Sequence, residues 1–107
     1  MSDIYHLDFE TYSEADLKAV GAFKYAEHPS TEILIMAIAK NDGPVEVWSD
    51  VNGGVEAISM LQEAIAYCGQ IYAHNAQFEH AICRELLHDT FGIEPPTLDQ
   101  WRCTAAM

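Results

Sequence analysis

Residues 32–40 read Glu-Ile-Leu-Ile-Met-Ala-Ile-Ala-Lys, a nearly continuous apolar run closed by a charge at each end. Such a run suits a strand covered on both faces, and its neighbours must supply partners and cover. Upstream, Ile4 to Glu10 alternates, with Tyr5, Leu7 and Phe9 on one face and Ile4, His6, Asp8 and Glu10 on the other. It reads as a strand that ends in two carboxylates on one face. Downstream, Asn41-Asp42-Gly43-Pro44 makes a turn and Val45 to Trp48 returns as an alternating strand. Three strands in succession predict an antiparallel meander. Between the first two, residues 11–31 are irregular, with a short helix from Ser13 to Lys18 capped by Ser13, and with Gly21 and Pro29 as punctuation.

After Gly53-Gly54 the period changes. Ala57, Ile58, Leu61, Ala64, Ile65 and Cys68 recur at helical spacing opposite Glu56, Ser59 and Glu63, so Val55 to Tyr67 is an amphipathic helix that Gly69 ends. Gln70 to His74 is a short strand, and Gln77 to Phe91 a second helix closed by Gly92 and Pro95-Pro96. Leu98 to Arg102 reads as a last strand, and Thr104 to Met107 as the capped first turn of a helix that would continue. The order β-β-β-α-β-α-β fits one domain over residues 1–107, a mixed sheet with packed helices.

Charge limits the partners. Five Lys and Arg face seventeen Asp and Glu, a net charge of −12, so no basic track exists to coat nucleic acid phosphates. No apolar run approaches the roughly 20 residues of a membrane span, and Met1-Ser2-Asp3 does not open a signal peptide, which makes a cytoplasmic location the expectation. Cys68, Cys83 and Cys103 are odd in number and set among apolar neighbours, as reduced, core-filling thiols would be.

Asp8 and Glu10 alone describe a solvated strand edge as well as a site. Glu79 changes that reading. On a helical wheel its neighbours are Phe78, Ile82, Cys83 and Leu86, whereas His80, Arg84 and His88 fall on the solvent side, so Glu79 lies in the stripe that faces the sheet. A carboxylate aimed at a core is costly unless a cation or good donors meet it. Two strand carboxylates facing a helix carboxylate form an anionic cluster that a hard divalent ion relieves, and oxygen-only ligands favour Mg²⁺ or Mn²⁺ over zinc. The chemistry permitted is two-metal phosphoryl transfer, with ions rather than Lys and Arg meeting the phosphate. The five histidines show no pairing at ligand spacing. Only His6 and His74 fall near the acidic cluster, and structural hydrogen bonding is expected of all five.

Leu7-Asp8-Phe9-Glu10-Thr11, Ser13 to Leu17, Tyr25 to Glu32, His74-Asn75-Ala76-Gln77-Phe78-Glu79 and Gln100 to Thr104 together resemble the 3′-to-5′ exonuclease domain of phage-type family-A DNA polymerases. These belong to the DEDD exonuclease superfamily, with a ribonuclease-H-like α/β fold. The resemblance runs through essentially the whole chain. It implies a mixed sheet with a three-strand antiparallel meander plus parallel strands. It also implies that Asp8, Glu10 and Glu79 bind two Mg²⁺ or Mn²⁺ ions and carry catalysis, with Glu10 also near the attacking water. Glu79 stands where Asp is commoner in the superfamily. Asn75 would orient the substrate strand or a neighbouring backbone, Thr11 would lie near the terminal nucleotide, and Phe78 would stack beside it or simply fill the core.

The family's third motif, a Tyr or His followed by Asp, has no match, because Asp89 and Asp99 are wrongly placed, and the domain is expected to be C-terminally incomplete. Three functions stay open. One is a metal-dependent exonuclease acting on a single-stranded DNA 3′ end, alone or completed by a polymerase chain. Another is a catalytically dead phage-encoded acidic protein that antagonises a host nucleic-acid-binding protein, as an anti-CRISPR protein or DNA mimic would. The third is a folded gene fragment with no activity.

Overall fold

The alternating first segment forms β1, Ile4–Tyr12, in the computed structural model, which describes residues 3–103. The apolar run forms β2, Glu32–Lys40, and the segment after the turn forms β3, Val45–Ser49. With β4, Gln70–Ala73, and β5, Trp101–Cys103, they make a five-stranded sheet in the order β3-β2-β1-β4-β5. The β1–β2 and β2–β3 pairs are antiparallel, and β1–β4 and β4–β5 are parallel, so the expected meander is extended by parallel strands.

Register decides which residues share a face. Leu7 stands opposite Ile38 and Phe9 opposite Met36, and these four are buried. On that side lie α3, Val55–Ala66, and α4, Ala76–Phe91, whose Leu61, Ile82 and Leu87 are fully buried in the same core. Each such side chain contributes roughly 1.5–3 kcal/mol relative to leaving it in water. On the opposite face, Asp8 pairs with Ala37 and His6 with Ala39, and the adjoining Val45 and Val47 are 62% and 52% exposed. Among the described residues, therefore, helices cover β2 on one face, not on both as its composition suggests. The open-face positions include small residues, half-buried Ala37 and buried Ala39, which their neighbours shield without a covering layer.

Other expectations need correction. The segment from Ser13 to Lys18 is not a helix capped by Ser13; α1 is Leu17–Val20, capped by Asp16, whose Oδ1 accepts from Lys18 N at 3.0 Å. Ser13 Oγ instead accepts from Ala15 N at 3.1 Å, turning the chain locally. A further helix that the pattern does not reveal, α2 at Ala22–Glu27, follows Gly21.

Gly69 does not end α3. Cys68 takes the left-handed backbone with φ 55°, whereas Gly69 is required because a Cβ there would stand 2.4 Å from the Tyr5 ring. Cys68 is accordingly exposed rather than core-filling, while Cys83 is buried as expected. The strand expected from Leu98 to Arg102 begins only at Trp101. Leu98–Gln100 forms a single 3₁₀ turn because Thr97 and Gln100 make a capping box. The helical turn expected at residues 104–107 lies outside the described residues.

Two polar clasps hold the layers. The Tyr5 hydroxyl donates to Glu63 at 2.7 Å and Lys40 pairs with Glu63 at 2.8 Å, joining β1, β2 and α3. Burial and the Glu63 carboxylate push the Tyr5 phenol up to about 12. Buried Gln100 donates through Nε2 to the carbonyls of Ala64 and Gly69, each at 3.0 Å, and so secures the end of α3 to the approach of β5.

Candidate active site

The site grows from a mismatch in strand length. Pairing between β1 and β4 runs from Ile4 to His6, so among the described residues that edge of β1 has no strand neighbour beyond His6. The chain leaves β4 at Ala73 and starts α4 at Ala76, with Asn75 as its N-cap. Asn75 Oδ1 accepts from Phe78 N at 3.4 Å and its carbonyl accepts from Glu79 N at 3.1 Å, which aims the first turn of the helix at the free strand edge. Glu79 fills the gap. It is 3% exposed, and its Oε2 accepts the Phe9 backbone N–H at 3.3 Å.

Burial is the main reason that the Glu79 carboxyl is pushed up to about 8; the Asp8 charge raises it further, and the Phe9 N–H opposes both. A helix N-terminus favours a carboxylate, and that help is outweighed here by desolvation. The wheel reading of Glu79 as a core-facing carboxylate thus matches its position, and Asp8 is the acidic neighbour it meets. Asp8 and Glu10 are both exposed on the open sheet face. Asp8 borders a shallow depression of about 230 Å³, together with His6, Ala37, Ala39, Tyr72 and His74. His6 is exposed there and its ring lies 5.6 Å from that of Tyr72.

Among the described residues, no group of three or more His, Cys, Asp or Glu is gathered closely enough to hold a metal ion alone. The charge of Asp8 reaches buried Glu79 across the end of β1, while Asp8 and Glu10 themselves stand exposed on the open face, one strand repeat apart. Such a donor set fits a Mg²⁺ or Mn²⁺ ion held by one or two carboxylates and completed by water and substrate phosphate, rather than an ion caged by protein.

The remaining candidates surround Tyr25, which the residue pattern alone did not single out. Its hydroxyl shares a 2.8 Å hydrogen bond with Thr11 Oγ1, and its ring centre lies 5.9 Å from that of half-buried Phe78. Thr31 Oγ1 donates to the Tyr25 carbonyl at 2.6 Å, fixing the end of α2. Tyr25 therefore joins the end of β1 to the first turn of α4. The one signal for it was its place in the segment from Tyr25 to Glu32.

His80 departs from expectation. It lies half-buried between Phe23 and Trp101 instead of facing solvent, because α2 and β5 cover a second side of α4. His88 is exposed, as its wheel position implies.

No family model matches the chain. In architecture, its five-strand mixed sheet with packed helices is compatible with a ribonuclease-H-like fold. It resembles part of the family B DNA polymerase from the hyperthermophilic archaeon Pyrobaculum calidifontis, with a TM-score of 0.51 at 15% identity over 87% of this chain and 12% of that one. In sequence it is homologous to a DNA polymerase of Bacillus phage SP02, at 33% identity over 99 residues. That match takes in 92% of this chain and 14% of the polymerase, so the chain spans about one-seventh of that relative's length. No helix among the described residues is long and apolar enough to cross a membrane.

Proposed function

We propose that this chain is a metal-dependent 3′-to-5′ exonuclease domain of the proofreading type, similar to those of family-A polymerases. The observation that carries the reading is Glu79: a buried carboxylate, beside Asp8, at the end of β1 in a chain homologous to a phage DNA polymerase. A buried acid with one backbone donor and an anionic neighbour is poorly stabilised as a charge, and a divalent cation is the partner that would stabilise it.

Asp8 and Glu79 would hold the ion between them, with Glu10 turned towards a second ion or the attacking water. The ions would supply activation of water and stabilisation of charge on the scissile phosphate. The chain's own residues do the positioning. Asn75 fixes the first turn of α4 and thereby the reach of Glu79, while Tyr25 ties Thr11 at the end of β1 to Phe78 in the first turn of α4, beside which the terminal nucleotide of a single strand would lie. Completion by a following polymerase chain belongs to the same proposal. The antagonist alternative rests on the net charge and the absent third motif, and no contact in the structure favours it.

The test incubates the purified protein with a 3′-labelled single-stranded DNA in Mg²⁺ or Mn²⁺, beside Asp8→Ala, Glu10→Ala and Glu79→Gln variants. Stepwise shortening by the parent and its loss in all three variants is expected. No shortening by the parent would sink the reading for the isolated chain, and equal shortening by parent and variants would trace the activity to a contaminant.

A further inference from the structure

Between the end of β1 and the start of α2 the chain makes an excursion over the surface. Of residues 14–20, which include α1, only Ala15 is less than fully exposed, and α1 buries no residue. Leu17 and Val20 are 39% and 40% exposed, and Ala15 alone among the apolar side chains there packs against the core. A segment with so little buried surface belongs to the part of a protein that opens first. At its far end Gly21 has a φ of 84°, a backbone that glycine adopts freely and that suits a hinge. Polar contacts must therefore hold this strap in place.

Those contacts come from the turn His28-Pro29-Ser30-Thr31, closed by the Thr31 N–H on the His28 carbonyl at 3.0 Å. The Glu14 N–H donates to Ser30 Oγ at 2.8 Å. Ser30 is held in turn by the His28 ring: its N–H donates to Nδ1 at 3.1 Å, and its Oγ lies 2.7 Å from the same atom. A backbone N–H can only donate, so Nδ1 is the bare nitrogen, the ring proton sits on Nε2, and the Ser30 hydroxyl donates to Nδ1 as well. With its proton committed to His28, Ser30 Oγ presents its lone pairs to Glu14. At the root of the strap Thr31 Oγ1 lies 2.6 Å from Ser13 Oγ, a contact that does not involve the ring.

The latch thus depends on one bare nitrogen. A proton on Nδ1 would set donor against donor at the Ser30 N–H and turn the Ser30 hydroxyl away from the ring, towards the Glu14 N–H that it now receives. Histidine is the side chain whose ordinary titration falls between about pH 5 and 8. The segments that meet the turn carry Glu14, Asp16, Glu27 and Glu32 against Lys18 and Lys24. Arg84 of α4 is paired with Glu27, and the Tyr25 hydroxyl is bonded to Thr11. A charged His28 ring therefore has carboxylates to turn to once it leaves Ser30.

We infer that residues 14–20 form a strap that uncharged His28 latches through Ser30 and that a proton on the ring releases, with Ser13 as the fixed root and Gly21 as the hinge. None of the carboxylates of the candidate site takes part, so the latch works whether or not they hold an ion.

The His28 ring nitrogens and the backbone amides are followed by ¹⁵N NMR from about pH 7.5 down to about pH 5, across the ordinary histidine range. The parent is compared with His28→Asn, whose side-chain oxygen stands where Nδ1 stood and takes no proton. At neutral pH the parent should show a bare Nδ1 and a protonated Nε2. As the ring takes its proton, order parameters over residues 14–20 should fall from about 0.85 to below about 0.6 in the parent and stay high in His28→Asn, while α3 stays rigid in both. Ser30→Ala removes the acceptor for the Glu14 N–H and should leave the strap loose at both ends of the range. A proton on Nδ1 at neutral pH would overturn the latch. So would a strap that behaves alike in the parent and His28→Asn, or one that stays rigid in Ser30→Ala.

Discussion

Replacing Glu79 by Gln keeps the shape and the acceptor for the Phe9 N–H and removes a carboxyl that the fold can ionise only at a cost. Between the ordinary carboxyl value of 4.5 and about 8 lies a gap of about 3.5 units, each worth about 1.4 kcal/mol. Below about pH 4.5 the carboxyl is protonated in both folded and unfolded chains and costs nothing. Above it the unfolded chain releases the proton while the folded chain keeps it, so stability falls by about 1.4 kcal/mol per unit until about pH 8 and is level beyond. In the absence of metal, Glu79→Gln should therefore match the parent near pH 4, exceed it by about 3 kcal/mol at pH 7 and by about 5 kcal/mol above pH 8. Urea unfolding of both proteins across this range reads the difference directly, and subtraction removes the titration of every other acid. A difference that stays constant with pH would refute the reasoning, because it would mean that Glu79 is charged and satisfied in the folded state.

Other residues offer separate tests. Tyr25→Phe keeps the ring against Phe78 and loses the bond to Thr11, which should cost about 1 kcal/mol by urea unfolding; Tyr25→Ala should cost about 3–5 kcal/mol. Gln100→Ala leaves the Ala64 and Gly69 carbonyls without their buried donor, with an expected loss of about 2–3 kcal/mol and a melting temperature lower by at least several degrees. Asn75→Ala removes the cap of α4 and should cost about 1 kcal/mol, with faster amide exchange confined to the first turn of that helix.

The strands were the most legible part of the sequence. Period-two alternation in β1 gave its faces, alternation in β3 and the apolar run of β2 gave nearly their bounds but not their faces, since Val45 and Val47 are exposed and β2 is covered on one face, and the core-facing position of Glu79 followed from the helical wheel. Short-range signals were harder to read. Helix α2 spans six residues and is held by Tyr25 and its contacts with α4 rather than by a clear apolar period. Thr97-Leu98-Asp99-Gln100 has capping-box spacing, yet it resembles the start of a strand until Gln100 is seen to turn inward. The reading of His80 failed because a wheel drawn for one packing partner cannot show that α4 has two. Openness of the sheet face was hidden because Ala37 and Ala39 suit a buried strand as well as an uncovered one. Near the candidate site, helical spacing turned Glu79 towards the sheet as the structure has it, but the Tyr25 bridge depends on contacts between residues fourteen and more apart, which no local pattern carries.

The proposed uptake of a divalent ion by Asp8 and Glu79 is tested most directly by melting curves in Mn²⁺ and in chelator, for the parent and for Glu79→Gln. An ion that binds only the folded chain stabilises it by about 1.4 kcal/mol at ten times its dissociation constant. Because the ion must displace the Glu79 proton, the gain should be large near pH 8.5, small near pH 6 and absent in Glu79→Gln. A parent indifferent to millimolar Mn²⁺ near pH 8.5, or a Glu79→Gln variant that gains as much, would contradict a metal site built on this carboxylate.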